Sequence, residues 1–392
     1  MFRLGQSKTT IILLCILVLL SACNPISQAA ENNKVAGAGF ETIAQSAVLM
    51  DGNGTVLFEK DSHKRLPPAS VTKSMTLLLA VEAVEQGRVK LTDPVTITEN
   101  AWHQGGSQIW LEPGEQMTLH ELMIAMAVVS ANDAAVAVME HIYGSQEAAV
   151  EAMNQRSSSL GLKDTHFANV NGLPAPDHYM SAFDTALIAK EAVKHPFYME
   201  LCSIKEYWLR DGKNWLVNTN KLLWWYKGAD GLKTGWTQEA QYCFAGTAKR
   251  DGLRLISVVF ATPEPRSHLR ESIKLFDWGF ANFGAMPIVN SGAVIETVRV
   301  NKGMEKELQL VASEDLTLLL RKGESKNLQK RVVVTDSAIT APITQGQKCG
   351  ELLVLRDGKE IGKVDLVAEK NIEKASLIKT LQNMITNLFS IR

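Results

Sequence analysis

Residues 67–73 read Pro-Pro-Ala-Ser-Val-Thr-Lys, and no other stretch restricts the fold as tightly. The prolines stop regular structure before it. A helical pattern then starts at Ser70 and runs to about residue 86, with Gly87 placed as its terminator. Positions i and i+3 share a helix face, so the Lys73 amine can reach the Ser70 hydroxyl. A serine hydroxyl is a poor nucleophile until a base takes its proton. A lysine is such a base only when its pKa falls well below about 10.4. Burial and a nearby second cation both push it that way. The helix start also offers unpaired N–H groups to an oxyanion. This pair therefore demands a fold that buries it and brings polar partners from distant segments.

Two more motifs supply candidates. A capping box, Thr118-Leu119-His120-Glu121, announces a helix running towards Val129, and Ser130-Ala131-Asn132 follows in the loop at its end. Lys233-Thr234-Gly235 occurs once, on a strand expected over 231–237. Each signal is weak alone. Ser376-Leu377-Ile378-Lys379 repeats the first spacing, and Ser325-Lys326-Asn327 imitates the second. In this order, about sixty and then about a hundred residues apart, the three together are the set known from penicillin-binding proteins and class A β-lactamases.

On those residues the chain resembles the low-molecular-mass penicillin-binding proteins, the serine-type D-Ala-D-Ala carboxypeptidases. Gly106-Ser107-Gln108-Ile109, Glu112-Pro113-Gly114-Glu115, Asn171-Gly172-Leu173-Pro174 and Asp230-Gly231-Leu232 extend the likeness over nearly everything after the leader. The resemblance implies an α/β (α+β) catalytic domain of the serine β-lactamase/transpeptidase type, a helical cluster on a mainly antiparallel sheet. It also implies roles. Ser70 would attack the carbonyl between two D-alanines with Lys73 as base, and Ser130 would pass a proton to the leaving amine. Asn132 would bind the peptide backbone, and Lys233 and Thr234 of the Lys233-Thr234-Gly235 strand the terminal carboxylate. The N–H groups of Ser70 and Trp236 would hold the oxyanion. Arg266 or Arg270 is a further carboxylate candidate. Ala131 departs from the lactamases, which carry Asp there, and favours the carboxypeptidases. A class A lactamase also needs a glutamate in the loop at 169–184, where this chain has Asp177 and Asp184 but no Glu. Slow release of bound β-lactam is the expectation.

Along the chain, 45–50 and 55–60 flank Asp51-Gly52-Asn53-Gly54, a hairpin signal. A third helix is expected over 145–160, ended by Gly161, and a long surface loop over 169–184. Strands return at 231–237, 242–249 and 253–261, giving a sheet built from both ends of the region with helices between. Near Gly284 the texture changes to short strands with Gly, Asn, Asp or Lys turns, a small all-β domain. In the tail, Leu377, Leu381, Met384, Ile385 and Leu388 share one helical face. That amphipathic helix suits a membrane interface, though a helix packed on the β domain has the same pattern. The expected layout is a signal peptide at 1–23, a linker at 24–40, the catalytic domain at 41–284, a β-sandwich-like domain at 285–370 and the membrane-associating helix at 371–392.

The leader has Arg3 and Lys8 before an apolar run over 11–20, too short to span a bilayer and suited to export. Leu20-Ser21-Ala22-Cys23 resembles a lipobox, and Ser27-Gln28-Ala29 offers a competing cleavage; both readings stay open. Either sends the protein out of the cytoplasm, to the outer face of the membrane. Five cysteines, with Cys15 and Cys23 in the leader, give no disulfide framework. Lys+Arg 41 against Asp+Glu 42 gives a net charge of -1 and no case for nucleic acid. No metal or cofactor motif is present. The tryptophans at 208, 215, 224 and 225, with Tyr207 and Tyr226, read as core and rim packing ahead of a glycan platform. The partners expected are the peptidoglycan pentapeptide, β-lactams as covalent inhibitors, and a membrane surface. A D,D-endopeptidase and a penicilloyl-binding sensor without turnover are the alternative functions.

Overall fold

The structure, a computed structural model, describes residues 40–335 and 339–376. The leader, Cys23 and the apolar face of the tail helix lie outside them.

The hairpin at the start forms as its sequence requires. The Asp51 carboxylate accepts from the Asn53 and Thr55 amides and closes the turn between β1 (Ser46–Asp51) and β2 (Val56–Lys60). β3 (Ala229–Thr237), β4 (Gln241–Arg250) and β5 (Leu253–Thr262) complete a five-stranded antiparallel sheet of order β2-β1-β5-β4-β3. Alternate residues of a strand point to opposite faces. Val48 and Met50 enter one core cluster with Val258 and Phe260, while Ala47 and Leu49 enter a second with Leu255 and Val259. Both faces are covered, which is why β5 reads as a continuous apolar run instead of an alternating one.

One face carries the helical cluster. α1 (Lys73–Glu85) runs through its centre, surrounded by α2 (Leu119–Val128), α3 (Asn132–Tyr143), α4 (Gln146–Ser159), α5 (Ala182–Ala192) and α6 (Pro196–Ser203). The capping box at Thr118 and Glu121 is present, and the Ser145 and Ser181 hydroxyls cap α4 and α5 by accepting from the Ala148 and Asp184 amides. The opposite face is closed by α7 (Ser267–Asn282), whose Leu269, Leu275 and Phe276 enter the second cluster. Its hydrophobic stripe, together with α3, α5 and α6, was not anticipated from the sequence.

The loop expected to reach residue 184 ends earlier. Ser181 caps α5, so Asp184 belongs to a helix, and Asn171 and His178 are buried instead of surface-lying.

From Phe283 onward the described residues are all β. Strands 294–301, 307–312, 328–334, 339–340, 348–356 and 359–368 make one sheet, and 283–289 pairs with 316–321. Leu308, Leu310, Leu352 and Leu366 form its core. This module runs further than 370. Ile343 bridges Ile372, Gly303 bridges Lys374, and Ile372 is buried, so residues 372–375 finish the β module and are not the start of a helix. Among the described residues no helix is long and apolar enough to cross a membrane.

Candidate active site

Ser70 does not sit on an α-helix. Pro68 precedes a single 3-10 turn, Ala69–Thr72, and α1 begins only at Lys73. Ala69 is held at φ +47, a conformation that persists only where surroundings over-determine it. Those surroundings are visible. Gly172 is packed so closely that a Cβ there would lie 1.9 Å from Ala69 O. On the other side, a Cβ on Gly235 of β3 would meet Pro68 O at 2.9 Å and Ser70 N at 3.1 Å. Two glycines, one from a distant loop and one from β3, thus clamp the serine turn, and each is needed for close approach of backbone to backbone. Beneath, Ala168 N–H donates to His178 Nδ1 (2.9 Å), which leaves Nε2–H to donate to Thr72 Oγ1 (2.8 Å). Thr72 Oγ1 in turn donates to Ala69 O at 2.8 Å. Burial lowers the His178 pKa to about 4, with the charges of His166 and Lys73 adding to it, so the ring stays neutral in this relay at pH 7.

Lys73 Nζ lies 3.0 Å from Ser70 Oγ, 2.5 Å from Asn132 Oδ1 and 2.6 Å from Asn171 O. Asn132 cannot be turned over, because its Nδ2 donates to Gly105 O at 2.6 Å. Burial drives the Lys73 pKa well below the usual lysine value, the Lys233 charge adds to this, and the buried Asp133 opposes it. A neutral amine has two N–H bonds and one lone pair. Two acceptors other than Ser70 surround it, so both protons have partners and the lone pair is left for the serine hydroxyl. That is the geometry of a general base. Asp133, which accepts from the amides of Ile109 and Leu111, fixes the neighbouring loop to the start of α3.

Ser130 sits between α2 and α3 at φ +63, and its Oγ is buried with no hydrogen-bond partner among the described residues. Burying a hydroxyl unpaired is unfavourable unless something arrives to meet it. Lys233 is buried on β3, and burial takes its pKa down to about 7. Its Nζ donates to Thr234 O at 3.0 Å. Thr219 joins the two segments: its N–H donates to Val128 O at the end of α2 (3.0 Å), and its hydroxyl accepts from Thr234 Oγ1 (2.8 Å). β3 is also the last strand of its sheet, and its outer edge has no strand partner among the described residues, the kind of edge with which an extended peptide can pair.

The fold therefore gathers Ser70, Lys73, Asn132, Lys233, Thr234 and Gly235 into one place, with Ser130 in the bend that leads into Asn132. Trp236, the next residue on β3, is largely exposed. Arg270 pairs with Glu264 at 2.9 Å, whereas Arg266 lies over the Trp225 ring at 5.9 Å. Asp177 is exposed, and the Asp184 carboxylate is engaged elsewhere, accepting from Asp164 N–H and the Thr165 hydroxyl. Asn171 O, Gly105 O, Thr219 and His178 were missed by sequence reasoning. Two of them act through backbone atoms, which leave no mark on residue type.

The aromatic stretch departs from expectation. Tyr226 is buried, but Trp208, Trp215, Trp224 and Trp225 are exposed. Trp208 and Trp215 are a directly opposed pair on the hairpin 206–217, and their partners on its other face, Leu209 and Leu216, fill the core instead. Glu82, Glu191 and His195 lie close enough to suit a metal ion, yet Arg156 bonds Glu82 at 2.6 Å and Glu191 at 3.2 Å. This is an ion-pair network.

The family model for D-alanyl-D-alanine carboxypeptidase, peptidase S11, matches residues 30–264, and that for the penicillin-binding protein 5 C-terminal domain matches 283–374. The chain is 41% identical over 343 residues to D-alanyl-D-alanine carboxypeptidase DacF of Bacillus subtilis, covering 86% of this chain and 88% of that protein. Penicillin-binding protein 5 of Haemophilus influenzae superposes with a TM-score of 0.75 at 34% identity, over 86% of this chain and 99% of that one. Penicillin-binding protein D2 of Listeria monocytogenes, solved in an ampicillin-bound form, matches with a TM-score of 0.57 at 30% identity, over 62% of this chain and 99% of that one. The chain belongs to the D-alanyl-D-alanine carboxypeptidase family and is a serine-type carboxypeptidase of the penicillin-binding kind.

Proposed function

We propose that Ser70, Lys73 and Ser130 carry out the removal of the terminal D-alanine from peptidoglycan stem pentapeptides. The observation behind this is the Lys73 amine, 3.0 Å from Ser70 Oγ with its other contacts already acceptors. In the first half, Ser70 Oγ bonds to the carbonyl carbon between the two D-alanines and its proton passes to Lys73 Nζ. The C–N bond then breaks as Ser130 Oγ hands its proton to the leaving amine and takes in return the one held on Lys73 Nζ. In the second half, Lys73 Nζ takes a proton from water as the water oxygen attacks the ester carbon; the C–Oγ bond then breaks, and that proton passes to Ser70 Oγ. The N–H groups of Ser70 and Trp236 hold the oxyanion; removing one such donor typically costs about 3 kcal/mol of transition-state stabilisation. Asn132 binds the peptide backbone. Lys233 and Thr234 take the terminal carboxylate by charge-assisted hydrogen bonds.

Penicillin enters by the same acylation. With no glutamate in the 169–184 stretch to activate water, the penicilloyl ester is expected to be long-lived. Ser70→Ala tests the assignment: it should abolish both D-alanine release and covalent penicillin labelling, and labelling that persisted would identify another nucleophile.

We place the enzyme outside the cytoplasmic membrane, with 41–284 as the catalytic domain and the β module as a spacer. The apolar run at 11–20 and the apolar face at Leu377, Leu381, Met384, Ile385 and Leu388 support an exported, surface-held protein. Mass spectrometry of the mature N-terminus distinguishes a lipid on Cys23 from cleavage after Ala29.

A further inference from the structure

Soluble proteins rarely leave large aromatic faces uncovered without a use for them. Here Trp208 and Trp215 are 59% and 54% exposed, with stacked rings 6.0 Å apart and 19° from parallel. Trp110 is 77% exposed at φ +56, a conformation a bulky residue adopts only when held. Arg210 holds it. From the tip of the Trp208–Trp215 hairpin, this guanidinium donates to Ile109 O (2.9 Å) and Trp110 O (3.3 Å) and pairs with Glu115 (2.8 Å). At the hairpin's other end, Lys205 and Lys221 stand over the Trp224 ring at 5.8 and 4.9 Å. The aromatic surface is therefore one ledge, from the 105–115 loop to the 218–226 segment.

Both ends of the ledge are bolted to the catalytic machinery. The 105–115 loop holds Asn132 through Gly105 O and Ser107 O, and the 218–226 segment holds Thr234 through Thr219. A surface so fixed keeps a constant distance from Ser70. What extends past the pocket from a bound stem peptide is the sugar polymer to which that peptide is attached. Pyranose rings present flat C–H faces that stack on indole, much as nucleobases do on aromatic side chains. The lysines beside the rings complement the carboxylates of neighbouring stem peptides.

We propose that the Trp110, Trp208 and Trp215 ledge binds the glycan backbone of the cell-wall polymer, so that the enzyme works on peptides still attached to their strand. This rests on the carboxypeptidase activity and adds a second binding site to it. The ledge is a binding surface and takes no part in the chemistry.

The test compares two substrates in one variant. Trp208→Ala/Trp215→Ala should release D-alanine from a free pentapeptide at the wild-type rate and be acylated by penicillin as wild type is. On polymeric, pentapeptide-rich peptidoglycan its KM should rise about tenfold, the usual scale for losing a stacked aromatic contact. Trp208→Phe/Trp215→Phe should restore most of that loss. In a Ser70→Ala background, glycan strands stripped of peptide should change the tryptophan fluorescence, and the double alanine variant should abolish the change. Equal loss on both substrates would make the hairpin a structural support and overturn the proposal. Unchanged kinetics on the polymer would overturn it too, as would loss confined to binding of anionic lipid vesicles. Failure of wild type to release D-alanine from the free peptide would instead sink the activity itself.

Discussion

The two halves of the molecule are stabilised by different means. Every buried polar or charged side chain among the described residues lies between Thr42 and Ser272, in the catalytic half. Lys73, Lys233, Asn132, Asp133 and Glu271 are all inside it. Among the described residues the β module after Phe283 buries none; its core is Leu308, Leu310, Leu352, Val364, Leu366 and similar apolar residues. Desolvating a lysine is unfavourable, and the catalytic half accepts that together with strained residues at Ala69 and Ser130. A domain that performs acyl transfer holds destabilising groups in place with the rest of its core. A domain that only supports needs no such groups. The difference shows where the chemistry is without reference to any motif.

The sharpest way to break this contrast is to remove the group that is least comfortable. Lys73→Ala should lower the penicillin acylation rate by about 10³-fold or more, in the upper range for loss of a general base. It should also raise or preserve thermal stability, because a buried amine is removed. A variant that was inactive and also strongly destabilised would mean that Lys73 serves the fold. Gly172→Ala should behave oppositely. Its φ is +86 and the new methyl would lie 1.9 Å from Ala69 O. Unfolding free energy should drop by about 3 kcal/mol, with acylation slowed because the serine turn moves. Urea denaturation alongside stopped-flow acylation separates the two.

Lys233 gives a pH signature. Its folded-state pKa of about 7 lies below the value for an exposed lysine. Between pH 7 and 10.5 the unfolded chain holds the extra proton, so this residue's stability penalty fades as pH rises through that window and is fully present below it. Carboxylate binding needs the charged form, so acylation should decline as pH rises through about 7. Lys73 is also lowered by burial, with the Lys233 charge adding to it. Lys233→Arg keeps its charge, and its alkaline decline should vanish from the accessible range. An unchanged profile in that variant would detach the limb from Lys233.

Much of this was legible in the sequence because it was written in residue type. Ser70, Lys73, Lys233, the hairpin at Asp51 and the capping box at Thr118 announce themselves by side chains whose chemistry or geometry is local. α3 and α5 were harder to see. Their residues are buried on most sides, which removes the amphipathic period that betrays a surface helix. Asn171 O and Gly105 O act through backbone carbonyls, so any residue with the right backbone could occupy those positions. The exposed tryptophans went the other way. An aromatic run reads as core by default, and only the pairing of Trp208 with Trp215 on one face of a hairpin shows that they point outward.

The smallest expected effect is the one that isolates the β module. Leu310 is fully buried there. Leu310→Ala removes a core side chain and should destabilise the module by about 2–5 kcal/mol. Its amides should then exchange hydrogen faster across 294–368, while those of α1 and β5 keep their protection. Acylation by penicillin should stay within about twofold of wild type, since distant sites without shared partners act independently. The contacts that cross the boundary make this a demanding test: Phe283 stacks edge-on against Trp278 and, with Leu319, joins the cluster that holds Phe276. If acylation fell in step with the module's stability, those contacts would be transmitting order to Ser70, and the β half would be part of the catalytic apparatus instead of its support.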